Sequence, residues 1–160
     1  MRHGKDHKKL GRTASHRKAM LSNMVASLIE HKQIRTTVAK AKEARRWADR
    51  MVTFGKRGTV AARREVYKFI PRRDIVKILF DELAPHFETR NGGYTRVIKL
   101  GRRQGDGAEL AILEFVGFES VQLDKQQEAL EQKEERKRRR EEKEKAEQEE
   151  AAGQAQAAAE

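Results

Sequence analysis

The residues of this chain whose types could do chemistry are cations, and they crowd into its first 18 positions. The stretch MRHGKDHKKLGRTASHRK holds seven lysines and arginines against one acid, Asp6, together with three of the five histidines in the chain. Only Met1 and Leu10 are large and apolar, so the stretch cannot bury enough surface to offset the entropy of its own ordering. We predict a basic arm over residues 1–14, mobile on its own, that binds a polyanion such as nucleic acid.

The cations of the arm and of the helix that follows it are the first candidate RNA-binding residues. Lysine acts on a phosphate as a point charge, whereas the planar fork of arginine binds two phosphate oxygens. Thr13 or Ser15 can cap a helix whose first turn lies among further cations, which suits a bound phosphate better than an isolated helix. The candidates that follow from charge and position are Lys5, Lys8, Lys9, Arg12 and Ser15.

Two histidines of the arm are spaced as metal ligands on a helix would be, but the sequence does not predict a metal site. His3 and His7 are four apart with Gly4 between them, no third ligand is near, and cations flank the pair. Zinc sites need three or four ligands. No catalytic set of residues stands out from the background either. We therefore predict no metal, no cofactor and no enzymatic activity.

The charge is uneven along the 160 residues. Residues 1–118 contain 27 Lys and Arg against 12 Asp and Glu, which gives +15, and residues 119–160 contain 9 against 13, which gives −4. The chain has no cysteine, which excludes disulfides and thiolate chemistry. No apolar run is long enough to cross a membrane, and none follows the charged N-terminus as in a secretory signal. We expect a cytoplasmic protein without a membrane partner or small-molecule substrate.

Apolar spacing predicts four helices ahead of a small sheet. The predicted helices cover about 15–31, 38–54, 58–70 and 74–84, with a short strand at 34–37 between the first two. Thr37 and Asp74 are predicted caps, Gly55 is a predicted stop, and Pro71 ends the third helix. Pro85 is expected just beyond the end of the fourth.

The pattern changes after Asn91, where glycines and β-branched residues replace the helical spacing. YTRVIKL at 94–100 and AELAILEFV at 108–116 read as strands, and the glycine-rich, basic segment 101–107 between them reads as the tip of a β-hairpin. Helices packed on a small sheet with a C-terminal hairpin make an α+β fold over residues 15–118.

The body of the protein carries further candidate RNA contacts. Glycines at the start of the first hairpin strand either form a simple turn or let the backbone approach phosphate while neighbouring side chains stack and pair. The arginine pairs at 63–64 and 72–73 are either solvated or touch RNA. The candidates of the second helix and the hairpin are Lys40, Lys42, Arg45, Arg46, Gly92, Gly93, Tyr94, Thr95, Arg96, Lys99, Arg102 and Arg103. Trp47 and Phe54 are expected to contact the body and not to stack on bases.

The last 42 residues change composition sharply. Glu, Lys, Arg, Gln and Ala dominate residues 119–160, and pairs such as Glu134 and Arg138 are spaced to support a helix. No apolar face continues beyond Leu123 and Leu130. We predict a charged low-complexity extension that is a solvated helix or disordered.

Several long motifs resemble one family. The opening MRH, GRTASHRKAMLSNMVASLI at 11–29, TTVAKAKE at 36–43, LFDELAP at 79–85 and GGYTRVIKLGRRQGDGAE at 92–109 are similar to the bacterial large-subunit ribosomal proteins numbered seventeen. The resemblance runs in register over about residues 1–118. The extension departs from the usual family pattern, in which the chain ends soon after the last strand.

The resemblance implies a small α/β fold, no enzymatic activity and binding to large-subunit (23S) ribosomal RNA. It also implies neighbouring ribosomal proteins on the outer face of the subunit, around the exit of the nascent-chain tunnel. By the same resemblance, the RNA-facing positions of the N-terminal stretch are Arg2, His3, His16, Arg17 and Lys18.

The predicted function is therefore that of a structural constituent of the bacterial large ribosomal subunit, acting in translation. The alternative is a nucleoid-type DNA-binding protein, which fits the charge equally well. That class would need a groove-reading helix or a hairpin with an intercalating apolar tip. An RNA-processing enzyme is the third interpretation, and the missing catalytic set disfavours it.

Overall fold

The computed structural model describes residues 7–118 of the chain. The chain separates into two units after Phe118, and every described residue belongs to the first. Arg2, His3 and Lys5 of the predicted arm lie outside the described residues, as does the whole predicted extension 119–160. The boundaries assigned to the arm and the extension remain predictions.

The helices precede a C-terminal hairpin, with one short strand between the first two helices, as the sequence predicted. The elements are α1 Ala14–His31, β1 Gln33–Thr37, α2 Val38–Arg57, α3 Val60–Phe69, α4 Arg73–Ile78, a π-helical turn Leu79–Leu83, α5 Ala84–His86, β2 Thr95–Arg102 and β3 Glu109–Phe115. The α+β fold with helices packed on a small sheet and a C-terminal hairpin is confirmed.

The sheet joins the strand between α1 and α2 to the C-terminal hairpin. Its strand order is β1-β3-β2, and both pairs are antiparallel. Leu113 of the central strand lies opposite Ile34 on one side and Val97 on the other, so one face of all three strands points at the helices. The sheet therefore fixes the start of α2, which follows β1 directly, against the hairpin.

Helix α2 runs through the middle of the protein and is longer than predicted. Gly55 was expected to stop it, and that expectation is wrong because the helix continues to Arg57 and ends at Gly58, whose φ is 65°. Gly55 is needed for packing instead: a Cβ there would lie 3.1 Å from Cβ of Ala84. Helix α2 thus approaches α5 closely at the one position where it has no side chain.

The segment after α4 also differs from the prediction. The helical path does not end before Pro85 but continues to His86 through the π-helical turn, in which the Ala84 N–H donates to the Leu79 carbonyl. Proline lacks an N–H, and the wider turn accommodates it. Asp74 is not the cap either: Arg72 holds that position, and Asp74 lies in the first turn, where its charge favours the helix dipole.

The aromatic side chains of α2 contact the body, as predicted. The Trp47 ring stacks on Phe69 of α3 with centroids 4.4 Å apart and planes 6° from parallel. Phe54 packs partly buried against the same core, and Arg50 lies over both rings. These contacts attach α3 to α2 and engage Arg50 in cation–π contacts.

Candidate nucleic-acid interface

A buried acid on helix α2 holds the described part of the basic arm. Glu43 is only 4% exposed. Its Oε1 lies 2.7 Å from Nδ1 of His7, and its Oε2 accepts the Lys8 backbone N–H at 3.3 Å. A buried carboxylate needs such partners, because an unpartnered charge is costly to remove from water. The arm is therefore anchored at this point, contrary to the expectation that it is mobile throughout.

A tight turn follows the anchor and redirects the arm into helix α1. Leu10 and Gly11 both have positive φ, 56° and 63°, and the Arg12 N–H donates to the Lys9 carbonyl at 3.2 Å. Two successive left-handed residues at the centre of a turn reverse the chain tightly. The side chains of Lys8 and Lys9 are exposed on either side of the anchor, so the turn presents them to solvent.

Two arginines stabilise this turn by donating hydrogen bonds to backbone carbonyls, and each uses only one of its guanidinium nitrogens to do so. Arg12 donates from Nη1 to the Leu10 carbonyl at 3.0 Å, and Arg17 donates from Nη1 to the Arg12 carbonyl at 3.3 Å. The enclosed Nε of Arg12 has no acceptor within residues 7–118. Neither guanidinium faces a carboxylate there, so both keep their positive charge for an external anion.

The first turn of helix α1 continues the same positive surface. It contains no acid, and the N-cap residue Thr13 makes no side-chain hydrogen bond to the free backbone N–H groups. Ser15, His16 and Lys18 are exposed. The helix dipole and the side-chain charges therefore have the same sign at this end. This combination is unfavourable in the free protein and becomes favourable when a phosphate binds.

A groove beside this helix start adds a cation that the sequence did not single out. It has a volume of about 470 Å³ and lies between α1 and β1, with His16 and Asn23 on one side and Arg35 on the other. The Arg35 side chain is exposed and has no ion-pair partner within residues 7–118. Strand alternation around Ile34 was the only sequence signal for its exposure.

Of the four cations of helix α2 that were predicted to bind RNA, two are free and two are already engaged. Lys40 and Lys42 have no ion-pair partner in the described part of the chain, whereas Arg46 is engaged. Arg45 lies 3.7 Å from Asp49. Burial raises the pKa of Asp49, against the lowering effect of the hydrogen bond from Thr95 and the charge of Arg45. Arg45 therefore compensates a half-buried acid of its own helix.

The glycine pair before β2 and the residues after it separate into an accessible and an inaccessible part. Gly92 and Gly93 are exposed, with φ of 143° and 62°. Tyr94 and Thr95 are only 6% and 3% exposed; Tyr94 packs edge-on against Phe87, and Thr95 donates to Asp49 at 2.9 Å. The Tyr94 ring therefore cannot stack on a base in this conformation, which corrects the role expected for it.

Two of the four cations of β2 and the hairpin tip are matched by acids of the hairpin itself. Arg96 donates from Nε to Oε1 of Glu114 at 2.8 Å, across the strand pair. Arg103 forms a two-bond pair with Asp106, from Nε to Oδ1 at 3.0 Å and from Nη2 to Oδ2 at 2.6 Å. Lys99 and Arg102 are exposed and have no ion-pair partner among the described residues.

The geometry thus brings one group of predicted residues together and separates it from another. Residues 7–18, which comprise the described arm and the start of α1, form one region with Lys40 and Lys42 of α2. The hydrogen bonds of Glu43 join its parts. We call it the arm region. The hairpin cations form a second region, in which two of the four charges are compensated. The anchoring role of Glu43 was not predicted from the sequence, although an acid between Lys42 and Arg45 in a basic helix is a signal that could have indicated it.

The described residues contain no cluster of His, Asp or Glu able to hold a metal ion. Within the same stretch, no helix is long and apolar enough to cross a membrane. Of the histidine pair in the arm, only His7 lies within the described residues, and its Nδ1 contacts the carboxylate of Glu43.

Comparison with known proteins agrees with the motifs. The family described as ribosomal protein L17 matches residues 20–116. A protein of Fusobacterium nucleatum named "Large ribosomal subunit protein bL17" is 53% identical over 116 residues, 72% of this chain and all of that protein. Proteins with the same name from Finegoldia magna and Agrobacterium fabrum are 50% identical over 78% of this chain and 58% identical over 72%, covering 95% and 82% of their own lengths. The chain therefore belongs to the ribosomal protein L17 family.

Proposed function

We propose that the chain is a structural constituent of the bacterial large ribosomal subunit that binds and stabilises 23S ribosomal RNA and so supports translation. The observation that carries the proposal is the arm region, where exposed cations without internal partners surround a buried acid that anchors the arm. Membership of the ribosomal protein L17 family supports this choice of polyanion. The cytoplasmic, ribosomal location expected from the sequence agrees with that membership.

The proposed mechanism is charge neutralisation at a fixed geometry. Folded RNA brings phosphates close together, and Lys8, Lys9 and Lys18 carry no acid partner within residues 7–118 that would compete for them. Because Glu43 and the tight turn hold the arm in part before binding, less conformational entropy is lost when it meets RNA. Arg2, His3 and Lys5 are proposed to extend the contact beyond the anchor.

A second contact is proposed at the hairpin. Lys99 and Arg102 supply its free charges, and the exposed backbone of Gly92 and Gly93 can approach phosphate closely. Arg96, Arg103, Arg45 and Arg46 are weaker candidates because each is engaged within the protein. The proposal also includes neighbouring ribosomal proteins near the tunnel exit, and it includes no catalytic step.

The nucleoid alternative has no support from these findings. The relatives are named as ribosomal proteins. The hairpin tip is closed by the ion pair of Arg103 with Asp106, and residues 101–107 contain no apolar side chain that could insert between base pairs.

The proposal is tested by sedimentation of the tagged full-length chain in a cell lysate, before and after a high-salt wash. We expect the protein to remain with the large subunit at high salt, because an arm enclosed by folded RNA does not leave when screening weakens the charges. Release by salt, or sedimentation with DNA, would contradict the proposal.

A binding titration gives an independent measure. The logarithm of the affinity for 23S RNA fragments is expected to fall linearly with the logarithm of the salt concentration, by about 0.7 to 0.9 for each neutralised phosphate. A flat salt response would contradict an interface dominated by phosphate contacts.

A further inference from the structure

A second groove lies on the helical side of the protein, between α3 and α4. It has a volume of about 490 Å³, and its lining is mainly apolar. Val60 is 66% exposed and Tyr67 43%, which makes them two of the four exposed large apolar side chains on residues 7–118, and Val76 closes the floor. No part of the proposed RNA interface uses these residues.

Helix α3 has an apolar face that packs and a second apolar face that does not. Ala62, Val66 and Phe69 are buried against the core. Val60 and Tyr67, seven residues apart, lie on the other side of the helix and line the groove. A helix that packs on one side only should be polar on the other. An exposed apolar pair that lines one groove and is framed by charged groups gives a partner apolar surface to cover.

The rim of this groove is positive. Arg63 faces Asp81 at 3.6 Å and lies over the Phe80 ring, and Lys68 pairs with Glu65 at 2.6 Å. The other three cations have no ion-pair partner within residues 7–118. They are Arg64, Arg73 and Lys77. The groove therefore combines an apolar floor with three uncompensated positive charges.

We propose that this groove, defined by Val60, Arg64, Tyr67, Arg73 and Lys77, docks an acidic amphipathic segment of a neighbouring protein in the large subunit. Apolar side chains of that segment enter the groove, and its Asp or Glu side chains pair with the three free cations. The volume suits a few side chains and not a whole helix, so the partner lies along the surface and inserts one face. The inference rests on the proposed place of the chain in the large subunit.

A protein occupant fits this chemistry better than RNA does. Single-stranded RNA is bound by planar groups that stack on its bases and by polar groups that pair with their edges. Here Tyr67 is the one aromatic ring in the lining, and the valines supply neither a planar face nor a hydrogen-bonding group. Aliphatic side chains, by contrast, gain about 25 cal/mol for each Å² that leaves water, wherever they lie on such a floor.

The test places a photoreactive p-azidophenylalanine in the full-length chain in place of Tyr67. Large subunits that retain the tagged protein are isolated and irradiated, and the adduct is mapped. The expected adduct is a protein segment that combines apolar with acidic residues. The control carries the same reagent in place of Ala61, an exposed residue of α3 that does not line the groove, and is expected not to label that segment.

Two further variants connect the adduct to the groove chemistry. Arg64→Glu is expected to lower the cross-linking yield about fivefold by charge repulsion, whereas Arg57→Glu, outside the groove, leaves it unchanged. Val60→Ser, which changes no charge, is expected to lower the yield while the affinity for 23S RNA stays constant. Circular dichroism and thermal melting confirm that each variant folds.

The outcomes separate this inference from the proposed function. If the protein does not sediment with the large subunit, the proposed function fails first. If it does sediment there, an RNA adduct at position 67, a protein adduct insensitive to Arg64→Glu, or no adduct overturns the docking groove alone.

Discussion

The arm region and the β2–β3 hairpin both carry several cations but differ in how many of those cations face an acid. In the arm region, Lys8, Lys9 and Lys18 have no acid partner within residues 7–118, and the buried Glu43 serves to hold the chain in place. In the hairpin, Arg96 and Arg103 are matched by Glu114 and Asp106.

The difference shows that the number of cations in a segment is a poor measure of its capacity to bind RNA. A cation that is paired internally loses its partner when it turns to a phosphate, so the net gain is small. One acid placed beneath a basic arm has the opposite effect, because it orders the arm without neutralising the lysines around it.

The largest effect is expected from removing the arm. Deletion of residues 2–12 takes away five cations and should lower the affinity for 23S RNA by on the order of a hundredfold, with matching loss of incorporation into ribosomes. Deletion of residues 121–160 is the comparison and should have a far smaller effect. The measurement is the occupancy of each variant in purified large subunits. Equal losses from both deletions would contradict the importance of the arm.

A smaller effect, of unexpected sign, is predicted for Glu43→Gln. The substitution makes the protein more positive, yet the affinity for RNA should fall about fivefold, because weaker hydrogen bonds to His7 and Lys8 release the arm at a cost of roughly 1 kcal/mol. Binding is measured by titration, and faster hydrogen exchange at the Lys8 amide reports the release.

Glu65→Gln is the matched control for this charge change, because Glu65 is exposed and pairs only locally with Lys68. It should leave the affinity unchanged or raise it slightly. If Glu43→Gln also raises the affinity, bulk charge governs binding and the anchor does not.

A modest effect is expected within the hairpin tip. Arg102→Ala should lower the affinity about threefold and reduce the salt slope by roughly one phosphate, about 0.7 to 0.9. The double variant Arg103→Ala, Asp106→Ala removes an internal ion pair and no net charge, so its affinity should stay near that of the natural chain. A loss from the double variant as large as that from Arg102→Ala would show that the paired arginine also binds RNA.

The smallest expected effect is the pH dependence of hairpin-tip stability that comes from Asp106. The hydrogen bonds from Arg103 and then from the Ala108 N–H lower the pKa of Asp106 to about 2. Because this pKa is depressed in the folded state, its contribution to tip stability is present above the ordinary value of 3.8 and is lost as the pH falls towards 2. Carboxyl NMR titration of the full chain should show this low pKa, and Arg103→Ala should raise it. An unchanged pKa in that variant would remove the ion pair as its cause.

Much of the fold was accessible from local sequence patterns. The spacing of Leu21, Val25 and Leu28 gave the first helix, and the glycine-rich segment 101–107 gave the hairpin, because both signals depend only on residues close in the chain. The predicted end of α2 at Gly55 was wrong. A glycine is needed there because the helix packs closely on Ala84, which is distant in sequence. Pro85 was misplaced because a π-helical turn has no reliable local signal.

The candidate site likewise has features that the sequence predicts and features that depend on the tertiary structure. By itself, the sequence determined that residues 1–118 are strongly basic, that they contain an arm poor in apolar groups, and which family the motifs resemble, since charge and composition do not depend on folding. The tertiary structure alone decided which cations remain free, that Tyr94 is buried, and that Glu43 anchors the arm from 35 and 36 residues away. The physical reason is that a charge is available to RNA only if no acid elsewhere in the chain folds against it, and such pairing depends on distances in space.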